Sequence, residues 1–148
     1  MMASLEHLSP NMPDIQFSRL PDDCRPLLDK FYRAHRSPMR AANPGVLWVA
    51  KQTQIVGALC LSEVAEGHWL TGLFVDPQQR GQSIARRLIN HALETLPGPV
   101  WLFCHPDLLD FYRSSGFEPA QNLPQPLADR FRRYSHSKAL IALCRTSH

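Results

Sequence analysis

Long hydrophobic runs, clustered cysteines and charge of one sign are all missing from this 148-residue sequence. Its longest apolar stretches, such as Val100–Cys104 and Ala139–Cys144, fall far short of the ~20 residues that cross a bilayer, so no membrane segment is expected. The four cysteines are scattered, the closest pair, Cys24 and Cys60, being 36 positions apart, which excludes the short spacings of zinc knuckles and redox pairs; no metal is expected. Cys60, Cys104 and Cys144 each stand in an apolar run, where a reduced thiol packs as a small hydrophobe. With no basic segment followed by an apolar one before Pro13, that points to a cytoplasmic protein without a secretory leader.

Charge is equally uninformative by sign. Lys plus Arg is 16 and Asp plus Glu is 13, a net charge of +3 that is too small and too dispersed to make nucleic acid the expected partner. Lysine itself is scarce: Lys30, Lys51 and Lys138 are the only ones, and thirteen of the basic residues are arginine. Arginine suits forked recognition of phosphate or carboxylate, although genomic base composition produces the same bias.

What is present is an ordinary globular composition, 44% hydrophobic and 20% charged, in a chain of single-domain length. Residues 1–13 are expected to be a flexible tail and 14–148 one folded domain. Ile15 and Phe17 alternate with polar neighbours, which predicts a first strand, and Pro21-Asp22-Asp23 opens a helix with Leu27, Leu28, Phe31 and His35 on its buried side. Val46–Ala50, Ile55–Leu61 and Trp69–Val75 are β-rich runs that predict an antiparallel meander. Ile84, Ala85, Leu88, Ile89, Ala92, Leu93 and Leu96 then fall on one helical stripe, followed by the apolar strand Val100–Cys104. Strand, helix, strand implies a parallel pair with a crossover helix, hence an α/β (α+β) fold with a mixed, mostly antiparallel sheet. Asp107–Ser115 predicts a short helix ended by Gly116, Leu127–Tyr134 another, and Ala139–Cys144 a last strand buried on both faces.

The informative stretch runs from Leu73 through Asp76-Pro77 and Arg80-Gly81-Gln82-Ser83 into Ile84-Ala85. A strand, a small-residue loop and a strong helix bring unpaired N–H groups and the positive end of a helix dipole to one spot, which suits an anion such as phosphate. The same pattern also describes a tight crossover with no ligand. A second element, Phe111-Tyr112-Arg113-Ser114-Ser115-Gly116-Phe117, lies downstream.

Together the two resemble the signature motifs of the GNAT superfamily of acyl-CoA-dependent N-acetyltransferases. The first motif of that family has Arg or Gln, two residues, Gly, one residue, then Gly or Ala. Arg80-Gly81-Gln82-Ser83-Ile84-Ala85 matches with one departure, Ser83 where Gly is usual. An aromatic-Tyr pair followed by Gly-Phe is matched by Phe111, Tyr112, Gly116 and Phe117. The resemblance covers about Trp48 to Glu118 and implies a single-domain GNAT fold whose central strands splay apart.

It further implies that Leu73, Phe74 and Val75 offer backbone groups to the pantetheine arm of acetyl-CoA, and that Arg80, Gly81, Gln82, Ser83, Ile84 and Ala85 cradle the pyrophosphate. Tyr112 corresponds to the general acid that protonates the departing thiolate, and His105, before Pro106, to a cofactor-contacting position. Glu63, Glu66 and His68 flank the turn into the central strand, where the family often places a general base. The first helix and its following loop, Phe31 to Arg40, and the region Pro119 to Ser137 are expected to shape the amine pocket. Arg130, Arg132 and Arg133 there are available to an acidic acceptor or an RNA backbone, or form a solvated face. The implied activity is transfer of acetyl from acetyl-CoA to a primary amine of a small molecule or protein, by direct attack in a ternary complex, with a homodimer compatible by resemblance. The alternative is an acyl-CoA-binding sensor or interaction module without turnover.

Overall fold

The computed structural model describes residues 14–42, 44–81 and 83–146. The expected tail, Asn43 and Gln82 lie outside the described residues. Seven strands form one mixed sheet: β1 (Gln16–Leu20), β2 (Val46–Lys51), β3 (Ile55–Val64), β4 (Gly67–Val75), β5 (Val100–Cys104), β6 (Glu118–Pro119) and β7 (Ile141–Arg145), in the order β1-β2-β3-β4-β5-β7-β6. Four helices accompany them, α1 (Arg25–Ala34), α2 (Ile84–Leu93), α3 (Leu109–Arg113) and α4 (Gln125–Tyr134). No helix among the described residues is long and apolar enough to cross a membrane.

The meander β1 to β4 is antiparallel, and β4 pairs with β5 in parallel through the crossover helix α2, as the apolar pattern predicts. The two faces of the sheet follow from the two-residue period of each strand. Leu59 and Leu61 of β3, with Leu70, Val100 and Leu102, pack against Leu88, Ile89, Ala92 and Leu93 of α2. Ala58 and Cys60, with Leu47 and Val49, pack against Leu28, Phe31 and Tyr32 of α1. Helix α4 meets the sheet through Phe131, whose ring lies 5.2 Å from that of Phe103 on β5.

Two expectations need correction. On α1 the buried stripe is Leu28, Phe31 and Tyr32, whereas Leu27 is 53% exposed. A short amphipathic stretch fits two overlapping stripes, and the bulk of Phe31 and Tyr32 decides which turns inward. Strand β7 buries only Leu143 and leaves its other residues half-exposed, because it is covered on one side by the two-residue strand β6 alone.

At the start of α2, Ser83 has φ 59° and ψ 25°, in the left-handed region, and its carbonyl accepts the first helical hydrogen bond from the Arg87 N–H at 3.0 Å. Its hydroxyl makes no capping bond. The serine therefore takes up the backbone shape that a glycine would adopt freely, at a steric cost of roughly 1–2 kcal/mol. Replacing it by glycine relieves that strain but raises unfolded-chain entropy, so Ser83→Gly is expected to stabilise the fold by about 1 kcal/mol, read as an increased urea midpoint at unchanged slope.

Candidate active site

Strands β4 and β5 are hydrogen-bonded neighbours only where His68 faces Val100 and Trp69 faces Trp101. Beyond that point each keeps its outer partner. Strand β3 follows β4 to Val75, and β7 follows β5 to Cys104. The two strands thus diverge from the Trp69 pairing, which closes one end of the gap, and a slit of about 500 Å³ opens beside Leu73, Phe74 and Val75.

A local irregularity marks the divergence. Between Ala58↔Phe74 and Cys60↔Thr71 the β3–β4 register shifts by one residue, with Gly72 at φ +69° on the longer side. A left-handed glycine in a strand bends it and turns one peptide out of the ladder. The Gly72 carbonyl accepts a hydrogen bond of 2.7 Å from the Tyr32 hydroxyl of α1, which is fully buried.

The slit is lined by Leu73, Phe74 and Val75 on one side, by Arg80, Gly81, Ser83, Ile84, Ala85 and Arg86 at its mouth, and by Leu108, Phe111 and Tyr112 opposite. Pro77 and the cap that the Asp76 carboxylate gives the Gln78 N–H, at 2.9 Å, end β4 in a single tight turn. Arg80 is then drawn back over the strand end, its Nε donating to the Val75 carbonyl at 3.2 Å and its guanidinium lying 5.6 Å from the centre of the Phe74 ring. Gly81 has φ +92° and open space where a side chain would stand. The loop therefore presents backbone, two cations and the N-terminus of a ten-residue helix, a setting that favours an anion.

Tyr112 sits on α3 between the rings of Phe111 (4.9 Å) and Phe117 (5.8 Å) and is buried except where it meets the slit. Burial, with a smaller contribution from the Cys104 thiol, pushes its phenol well above the ordinary tyrosine range. Gly116, at φ +90°, ends this helical segment and returns Phe117 to the core. Burial also raises the Cys104 thiol to about 11, which keeps it protonated and unreactive.

Of the residues singled out from the sequence, the slit brings together Leu73, Phe74, Val75, Arg80, Gly81, Ser83, Ile84, Ala85 and Tyr112. Gln82 lies outside the described residues. His105 does not line the slit; its Nδ1 accepts from the Asp107 N–H at 3.0 Å and caps the turn that follows β5. Glu63 and His68 are cross-strand partners at the closed end, five residues from Leu73 along β4, about 16 Å at the rise of a strand. Exposed Glu66 occupies the same turn. The physical reason is the direction of β4, which carries its first residues away from the mouth where α2 begins.

Sequence reasoning missed Arg86, Leu108 and Phe111 in the lining, and Tyr32 and Gly72 behind it. His35 was expected only as part of the Phe31 to Arg40 stretch that shapes the amine pocket. The ring of His35 lies tilted against Phe74 at 5.6 Å, and its Nε2 lies 3.9 Å from the Asp76 carboxylate. A glycine in the middle of a β-rich run was the available signal for the bulge.

A profile of the acetyltransferase (GNAT) family matches residues 9–117. The peptidyl-lysine N-acetyltransferase YjaB of Salmonella typhimurium is 36% identical over 76 residues, 49% of this chain and 50% of that protein, so the chain matches about half the length of this relative. Among solved structures, the ribosomal-protein-S18-alanine N-acetyltransferase of Escherichia coli superposes with a TM-score of 0.68 at 15% identity, covering 91% of this chain and 96% of the other. N-acetylglutamate synthase of Neisseria gonorrhoeae, in complex with coenzyme A and N-acetylglutamate, gives 0.68 at 15% identity, covering 93% of this chain but only 36% of that longer one. With that profile spanning most of its length and its fold superposing on these neighbours, the chain belongs to the acetyltransferase (GNAT) family.

Proposed function

We propose that the protein transfers acetyl from acetyl-CoA to a primary amine of a small molecule or protein, by direct attack in a ternary complex. The observation that carries this is the slit itself: a strand with one bare hydrogen-bonding edge, leading from a buried tyrosine to an anion-binding helix start. Bound acetyl-CoA supplies the thioester. The residues Leu73, Phe74 and Val75 offer their slit-side backbone groups to its pantetheine amides, since β5 is too far away to take them. Arg80, Gly81, Ser83 and the first N–H groups of α2, with Arg86, face its pyrophosphate.

Tyr112 holds a proton at its hydroxyl oxygen for the departing sulfur. Its raised pKa keeps the phenol protonated through neutral and mildly alkaline pH, as a proton donor must be. Among the described residues, the slit lining contains no carboxylate or imidazole. The amine therefore loses its proton to water or to a group reached from the α1 face, where His35 stands against Phe74. The same absence favours the second reading, an acyl-CoA-binding module without turnover.

Isothermal titration with acetyl-CoA, followed by assay against a panel of amines, separates these readings. Saturable binding with turnover supports the enzyme, binding without turnover the sensor, and no binding by the folded protein overturns both. Tyr112→Phe is expected to lower kcat about 100-fold while the acetyl-CoA Kd stays within twofold of wild type. Because the folded-state pKa of Tyr112 is raised, its ionisation is not expected to depress the wild-type rate below about pH 10, which a kcat–pH profile checks. Arg80→Ala, which removes a cation and the tie to Val75, is expected to weaken acetyl-CoA binding about tenfold with little change in kcat.

A further inference from the structure

The geometry points to Tyr32 as a positioning residue that aims the Leu73 N–H into the slit at the thioester carbonyl of acetyl-CoA. This inference rests on the acetyl-CoA reading above and adds a residue from the far side of the sheet to it.

Three observations carry it. Tyr32 is fully buried on α1, and its hydroxyl donates to the Gly72 carbonyl at 2.7 Å. Gly72 is the left-handed residue of the β4 bulge, where the peptide joining it to Leu73 is turned out of the β3–β4 ladder. In a trans peptide the C=O and the following N–H point in opposite directions. With the Gly72 carbonyl held towards α1, the Leu73 N–H is directed to the opposite side of β4, where Leu73, Ile84 and Tyr112 line the slit.

The hydroxyl acts in two ways. It fixes the rotation of a peptide that no strand partner holds on its β5 side, and it polarises that peptide, since a hydrogen bond accepted at the carbonyl strengthens donation from the N–H. The site is built for a hydroxyl at this depth. A Cβ on Gly72 would come within 2.7 Å of the Tyr32 oxygen, so glycine is required both by the backbone conformation and by the clearance. The hydroxyl also lies 3.8 Å from the Cys60 thiol, a weak partner. Burial keeps the phenol in its neutral, donating form.

Tyr32→Phe removes the hydroxyl and leaves the ring in place. Its effect is read by comparing acetyl-CoA with S-ethyl-coenzyme A, a thioether in which the carbonyl is replaced by a methylene, by isothermal titration. Wild type is expected to prefer acetyl-CoA about tenfold, the value of one well-aligned hydrogen bond, and Tyr32→Phe to lose most of that preference while binding the thioether as wild type does. In steady state kcat should fall about tenfold with the amine KM unchanged. Val49→Ala, a cavity in the same α1-facing cluster, serves as the control: it lowers thermal stability but should leave the preference intact. Equal weakening of both ligands in Tyr32→Phe, an unchanged preference, or a wild type that does not distinguish the two ligands would each overturn the assignment. A wild type that binds neither ligand overturns the acetyl-CoA reading and this inference with it.

Discussion

From Leu70 to Val75, strand β4 keeps one hydrogen-bonded edge and gives up the other. Backbone N–H and C=O groups away from water cost about as much as a lost hydrogen bond when left unpaired, so a sheet does not open in its middle without a substitute partner. Here the opening is confined. Outer strands β3 and β7 brace the diverging pair, the Trp69 and Trp101 pairing closes one end, and a single left-handed glycine absorbs the bend. The bare edge that results is the surface on which a ligand can continue the sheet. The right-handed crossover between β4 and β5 then sets the N-terminus of α2 at the open end.

Electrostatics and aromatic packing finish what the opening begins. Among the described residues, the lining of the slit contains Arg80 and Arg86 and no acidic side chain. An anion entering at the mouth therefore meets cations, a helix start and no opposing charge. The rest of the described lining is apolar, Leu73, Phe74 and Phe111 with exposed Leu108 among them, around the phenol of buried Tyr112. Burial keeps that phenol protonated, because it disfavours the phenolate. Behind the slit wall, α1 and its C-cap meet β4 through Tyr32 at Gly72 and through Phe31 and His35 at Phe74.

Much of the architecture was legible from periodicity. The helical stripe of α2 and the continuous apolar run of β5 admit one arrangement each, because burying them requires a crossover onto a sheet face. Helix α1 was harder. Leu27 and Leu28 offered two stripes, and only the depth available over Leu47, Val49 and Cys60 selects the one containing Tyr32. Strand β7 looked doubly buried because its residues are apolar, yet its exposure depends on how little β6 covers it.

Sequence order likewise located the loop Arg80–Ala85 and the Phe111-Tyr112 pair, because both are contiguous segments whose chemistry travels with them. It did not locate the proton acceptor. His68 lies on β4 and Glu63 opposite it on β3, but a strand is a rod, and five residues along it separate His68 from Leu73 by about 16 Å. By itself the sequence determined the crossover unit, the loop and helix start at Arg80–Ala85 and the position of Tyr112 close to Gly116-Phe117. Tertiary structure alone decided that β4 and β5 part after one pair of tryptophans, that Ser83 takes a glycine-like conformation, and that a tyrosine forty residues upstream reaches the bulge at Gly72. Those outcomes depend on which elements share an edge or a face, a relation between distant segments that no local pattern encodes.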